Sequence, residues 1–258
     1  RNHRKCFYDH SDMTGDEPLT RAAAAELVCK LAGVEEFGPA VAAAPDLDPA
    51  SDGAQALAFC LEPESAVEYA DGFVNIDGWL YLVRDGLFVT DESVDGFDFG
   101  SDGRFTSGNE ELDELVAEAL EPICAEGGTR DEMLRAAYLY VRDNFQYLRR
   151  NYYAVGADGW QTDEAITMLT TGRGNCYCYA GAFCALARGL GYNARTYSGS
   201  IGIENQPHAW TEITLDGKIY ICDPEIEMNY WLLQMYTDNF MMLRENSLSW
   251  NYQAVGRT

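Results

Sequence analysis

One stretch, GRGNCYCYAGAFCALARGLG (Gly172 to Gly191), constrains this chain more than any other. Ala180, Phe183, Cys184, Ala187 and Leu190 recur at helical spacing, and Gly191 can end the helix. The segment therefore reads as a helix whose buried stripe includes Cys184. Three of the chain's eight cysteines fall in this stretch, so their roles need separating. Cys184 reads as a small core residue. Cys176 lies in the first turn, where unpaired N–H groups and the positive end of the helix dipole favour a thiolate. The preceding glycines, Gly172 and Gly174, allow a tight turn and close approach of substrate to backbone. Cys178 is two residues on, roughly 200° around the helix, and points elsewhere.

A thiol nucleophile needs a base. The chain has three histidines, His3, His10 and His208, and only His208 shares a region with Cys176. It sits in PHAWTEITLDGKIYICDPEIE (Pro207 to Glu227). Thr211, Ile213 and Leu215 alternate with Trp210, Glu212 and Thr214, as in a strand. Asp216-Gly217 is a two-residue turn, Lys218 to Cys222 a second strand, and Asp223-Pro224 its end. A tight hairpin pairs Leu215 with Lys218 and Trp210 with Asp223. His208 is then diagonal to Asp223 on one sheet face, roughly 7–8 Å away at the backbone, within reach of an imidazole–carboxylate bond. A slip of one residue would separate them onto opposite faces.

The expected constellation is Cys176 as nucleophile, His208 as acid and base, and Asp223 as the group that orients the ring, converging in a water-accessible groove. The Cys176 N–H is half of an oxyanion hole, and the Trp160 indole is a candidate for the other half. Each residue also has an ordinary reading: a buried thiol, a structural strand histidine, a turn-forming aspartate. The residues alone leave both readings open. Zinc is disfavoured, because Cys176-x-Cys178 lacks paired-knuckle spacing and has no second knuckle. No Cys-x-x-Cys redox pair is present. No metal and no cofactor is expected.

Composition narrows the partners. The net charge of −24 repels phosphate backbones and anionic head groups, so nucleic acid is a poor partner. No apolar run reaches the roughly 20 residues of a spanning helix, so membrane insertion is not expected. No signal peptide is visible, though the chain opens RNHRKC without an initiator Met. The cysteines lie mostly in apolar patterns and read as free thiols.

Three segments are expected along the chain. Residues 1–72 form a helical segment, with helices near 18–33 and 54–61. Residues 73–109 carry Asp77-Gly78, Asp85-Gly86, Asp95-Gly96 and Asp102-Gly103, a hairpin signal. A weak repeat sets Trp79, Tyr81 and Phe88 against Phe97, Phe99 and Phe105, which suggests two successive hairpins. Residues 110–258 hold the chemistry. There LDELVAEALEPICAEG is one helix, and TRDEMLRAAYLYVRDNFQYL is another, opened by a Thr129/Glu132 capping box with Met133, Ala137, Tyr140 and Val141 as its apolar stripe.

The motifs GNCYCYAGAFCALARGLGYNAR (Gly174 to Arg195), PHAWTEI (Pro207 to Ile213) and YICDPEIE (Tyr220 to Glu227) resemble the transglutaminase-like superfamily of papain-type cysteine enzymes. The resemblance spans roughly residues 129 to 227. It implies an α+β fold in which the cysteine helix packs on an antiparallel sheet carrying His208 and Asp223. Tyr179-Ala180 follow Cys176 at the family's spacing, which implies that Cys176, not Cys178, is the nucleophile. The shared chemistry is acyl-thioester formation on an amide of a protein or peptide. Water as acceptor gives hydrolysis and a lysine amine gives cross-linking; a scaffold protein without turnover is the remaining alternative. The Asp-Gly hairpins are similar to glycan-binding repeats, and EPLTRAAAAELVCKLAG is similar to the start of a surface-layer homology unit. Those likenesses imply a secreted bacterial protein at the cell surface, with cell-wall glycan as a second partner.

Overall fold

The structure, a computed structural model, describes residues 69–150, 152–154, 156–236, 240–244 and 251–254. The helices expected at 18–33 and 54–61, together with His3, His10, Cys6, Cys29 and Cys60, lie outside the described residues. All described residues belong to one compact unit, Tyr69–Thr258.

The first part is strands. β1 (Gly72–Ile76), β2 (Trp79–Arg84) and β3 (Leu87–Phe88) form one antiparallel sheet, and β4 (Glu92–Val94), β5 (Phe97–Phe99) and β6 (Phe105–Thr106) a second. The repeat is thus two three-stranded meanders, one strand more per copy than a hairpin. Asp77, Asp85 and Asp95 all have positive φ and precede positive-φ glycines, the backbone that a two-residue hairpin turn demands. Phe97, Phe99 and Phe105 are buried, each contributing roughly 2 kcal/mol of apolar burial.

Five helices follow among the described residues: α1 (Glu110–Ala125), α2 (Arg130–Asn144), α3 (Gln161–Thr171), α4 (Cys176–Gly189) and α5 (Pro224–Leu232). Asn109 caps α1, and Thr129 with Glu132 closes the capping box of α2. Strands β7 (Gln146–Tyr147) and β8 (Arg173–Gly174) form a short parallel pair. β9 (Ala194–Ile201), β10 (Gln206–Leu215), β11 (Lys218–Cys222), β12 (Leu243–Arg244) and β13 (Gln253–Ala254) build an antiparallel sheet in the order β12-β11-β10-β9-β13. The fold is α+β. None of the described helices is long and apolar enough to cross a membrane.

Helix α4 is the centre. It was expected to bury one stripe, yet twelve of its residues are buried. The reason is enclosure: α2 and α3 cover one side and β10 the other, where Thr211 Oγ1 donates to the Ala180 carbonyl at 2.9 Å. The hairpins attach to the C-terminal end of α4. Arg188 donates to the Gly96 carbonyl at 2.7 Å and lies 4.9 Å from the Phe97 ring centre, while Asn75 donates to the Gly189 carbonyl at 2.7 Å. Helix α2 buries Leu134, Ala137, Tyr138 and Val141, so its stripe is rotated from the expected one. Tyr138 is drawn inward because its hydroxyl donates to Glu227.

Candidate active site

Hairpin β10–β11 pairs Leu215 with Lys218 and Thr211 with Cys222, the register that the Asp216-Gly217 turn dictates. Continued, it brings His208 and Asp223 onto one face. The His208 Nε2 to Asp223 Oδ2 distance is 2.7 Å. That occupies one edge of the ring, and Cys176 acts on the same imidazole, favouring its cationic form. Cys176 opens α4, whose N-cap is Asn175 with extended backbone. His208 and Asp223 are therefore brought into contact, with Cys176 near enough to raise the pKa of the ring.

Asp223 is fixed from several directions. It is the N-cap of α5, with Oδ1 accepting from the Ile226 N–H at 3.1 Å. Its Oδ2 also accepts from the Tyr252 hydroxyl at 2.5 Å. Tyr252 packs edge-on against Trp210, and Trp210 stacks with His208 at 6.3 Å between ring centres. Helix α5 is itself pinned. Glu227, fully buried, accepts from Arg142 at 2.7 Å, from Tyr138 at 3.1 Å and from the Phe240 N–H at 3.1 Å. Removing one partner of such a buried pair typically costs about 3–5 kcal/mol. This network sets the position of the Asp223 carboxylate.

Burial opposes the imidazolium form of His208, but Asp223 and then Cys176 outweigh it and hold the pKa well above the ordinary histidine value. The stability this contributes is fully present below the ordinary histidine pKa and is lost as pH rises through the raised one. Glu225 lies close by, its Oε2 3.9 Å from His208 Nδ1, and Asn229 donates to its Oε1. Burial pushes the Glu225 carboxyl up to about 7; His208 pulls it down and Asp223 pushes it further up.

Three expectations are corrected. The site was expected to face water, but Cys176 is 2% exposed and His208 4% exposed. Cys176 belongs to a buried cluster with Trp160, Tyr177, Ala180 and Ala209. The Trp160 indole N–H donates to the Ala157 carbonyl at 2.9 Å, so it is committed and does not point at a reacting carbonyl. Gly174, in β8, serves packing against the first turn of α4: a Cβ there would run into the Cys178 side chain.

Cys178 does point elsewhere. Its thiol donates to Glu164 Oε2 at 2.6 Å, and Arg150 Nη1 approaches the same sulfur at 3.1 Å. Glu164 also takes Arg150 at 2.5 Å and the Tyr153 hydroxyl at 2.7 Å. Tyr252, Glu225 and Glu164 are the site neighbours that the sequence reading passed over. Only Glu225 carried a signal, as the second residue after the Asp223 cap. Tyr252 is 29 residues from Asp223 in sequence and has none.

Among the described residues, one group could place several ligand atoms around a cation: His208, Asp223 and Glu225, with one atom each within 4.8 Å of the others. Asp223 already accepts from His208, Tyr252 and the Ile226 N–H. A metal would have to displace those bonds, so the donor set fits a proton relay better than a cation.

No curated protein matches the chain. Among solved structures, a candidate cysteine protease from Cytophaga hutchinsonii is similar at 23% identity and a TM-score of 0.34, covering 44% of this chain and 37% of that one. A protein described as a TGase is similar at 19% identity and a TM-score of 0.34, covering 46% of this chain and 34% of that one. The chain thus spans little more than a third of the length of either. The family model of the transglutaminase-like superfamily core matches residues 118–224, a segment that contains Cys176, His208 and Asp223. Residues 118–224 are a transglutaminase-like core domain.

Proposed function

We propose that the chain is a thiol-dependent acyl-transfer enzyme acting on amide bonds of a protein or peptide. The observation that carries this reading is the 2.7 Å contact between His208 Nε2 and Asp223 Oδ2, with Cys176 among the groups that raise the pKa of that ring. His208 takes the thiol proton, and Cys176 Sγ attacks the amide carbonyl carbon. The C–N bond breaks as the imidazolium gives its proton to the leaving amine, and a thioester remains on Cys176. Water or a second amine, deprotonated by His208, then attacks the thioester and regenerates the thiol. The N–H groups at the first turn of α4 face developing oxyanion charge. Asp223 holds the ring tautomer and offsets the imidazolium charge.

One observation favours a second reading. With Cys176 only 2% exposed, no protein amide reaches the sulfur until its cover moves. A binding or scaffold protein that keeps the fold without turnover is consistent with that closure. A setting at the bacterial cell surface rests on the Asp-Gly meanders. Their buried phenylalanines leave Leu87 and Phe88 as the exposed apolar residues of the first meander, where a glycan would be met.

The test uses fluorescein-labelled casein, with and without a dansylated alkyl amine. Label release that disappears in Cys176→Ala supports hydrolysis. Incorporation of the amine supports cross-linking. Neither outcome, together with no hydroxylamine-trapped acyl-enzyme, supports the scaffold reading.

A further inference from the structure

Glu225 and Tyr179 are polar, buried and unused by the chemistry above, and what they imply rests on the amide-transfer reading. Glu225 is 5% exposed and Tyr179 is fully buried. Asn229 donates to Glu225 Oε1, but among the described residues Glu225 Oε2 has no hydrogen bond. The Tyr179 hydroxyl has no hydrogen-bond partner either. Buried polar groups are normally paired, so two exceptions near one site point to something that pairs with them.

The ring supplies a third group. Glu225 Oε2 lies 3.9 Å from His208 Nδ1. That is too long for a direct hydrogen bond, and short enough for one water oxygen to reach both atoms. The other ring nitrogen, Nε2, is held by Asp223 at 2.7 Å. Nδ1 is therefore the nitrogen left to exchange protons with a reactant.

Both residues are tied to the nucleophile. Tyr179 follows Cys176 by three residues in α4, so the two are neighbours on the helix surface. Burial first, and Glu225 next, push the Tyr179 phenol up, so it keeps its proton and can donate. After burial and the bond to Tyr152, Cys176 and Glu225 both push the Tyr147 phenol up. Glu225 is thus coupled to the ring, to Tyr179 and to a tyrosine on which Cys176 also acts.

We propose that Glu225 Oε2, the Tyr179 hydroxyl and His208 Nδ1 bind the water that accepts the acyl group, which makes the chain a hydrolase. A buried water is held by about three hydrogen bonds, and this set supplies three. The water donates one hydrogen to Nδ1 and the other to Glu225 Oε2, and accepts from Tyr179. Its second lone pair attacks the thioester carbon. The hydrogen at Nδ1 passes to the ring as a proton, the C–S bond breaks, and sulfur leaves as thiolate beside the imidazolium. The other hydrogen stays on the carboxylic acid product. An amine nitrogen has a single lone pair, so it cannot accept from Tyr179 and attack at once. The set therefore selects water over a lysine amine.

The test is burst kinetics of the full chain with p-nitrophenyl acetate at about pH 8, where Glu225 is ionised, with acetyl-Cys176 followed by mass spectrometry. The nitrophenol burst reads acylation, and the steady rate reads loss of the acetyl group. Glu225→Gln should slow deacylation at least about tenfold more than acylation, so that acetyl-Cys176 accumulates. If a thermal melt shows that this variant does not fold, Tyr179→Phe is read in the same way. With an alkyl amine added to the wild type, acetate should remain the main product. Equal slowing of both steps, as a merely structural role would give, overturns the proposal and leaves the enzyme reading standing. An acetylated amine as the main product does the same. Absence of both burst and acetyl-Cys176 in the wild type overturns the enzyme reading, and the water site with it.

Discussion

Cys176 and Cys178 sit two residues apart in the first turn of one helix, and both are buried, yet their surroundings differ in kind. Cys178 faces a carboxylate. Burial, then Glu164, pushes its thiol up to about 12, and Arg150 offsets only part of that. Its proton stays on sulfur, where it donates to Glu164. Cys176 faces an imidazole that Asp223 already holds toward its cationic form. That ring can take the thiol proton, and Glu164 cannot do so at a comparable position. The contrast teaches that burial does not decide which thiol reacts here; the basicity and anchoring of the group opposite the sulfur does.

The largest effect that could break the contrast is the pair Cys176→Ala and Cys178→Ala, compared on labelled casein. The first should lower turnover by about 10³-fold or more, and the second by less than about tenfold. Equal losses would mean that the two thiols act as a unit.

Glu225→Gln sharpens the contrast, because Glu225 stands by the ring as Glu164 stands by the other thiol. The folded chain keeps the Glu225 proton up to about pH 7, whereas an exposed glutamate releases it near 4.5. Across that window the folded state binds more protons, so stability falls as pH rises, and the loss is complete above about 7. The variant should remove a pH-dependent loss of about 3 kcal/mol, read as urea midpoints at pH 4 and pH 8. An unchanged pH dependence would place the Glu225 carboxylate in water.

Glu164→Ala is the smallest of the three. It strips the acceptor from Cys178 and Tyr153, which should destabilise the fold by about 1–3 kcal/mol by thermal or urea unfolding. Cys178 should then alkylate faster, with Cys176 unchanged.

Much of this contrast was legible in the residue order. The Asp216-Gly217 turn fixes the β10–β11 register, and register fixes which faces His208 and Asp223 share. Strand period is two, so a correct turn leaves no freedom. The cap at Thr129 was equally local, marked by its capping box. What the order did not show was long-range. Arg142 meets Glu227 across 85 residues, and Tyr252 meets Asp223 across 29. Neither pairing has a local pattern, because only tertiary packing brings those elements together. The closure over Cys176 was hidden for the same reason: Trp160 and Ala209 come from different elements. The two-meander form of 72–106 was half legible, since β3 and β6 are only two residues long and carry no alternation of their own.

The most direct measurement is the iodoacetamide labelling rate of each cysteine in the folded chain, by mass spectrometry, in the wild type and in His208→Ala. The account predicts that Cys176 labels fastest among the described thiols and slows by about tenfold or more in the variant, while Cys178 and Cys184 do not change. Labelling of Cys176 that is no faster than that of Cys178, or that is indifferent to the loss of the ring, would contradict it.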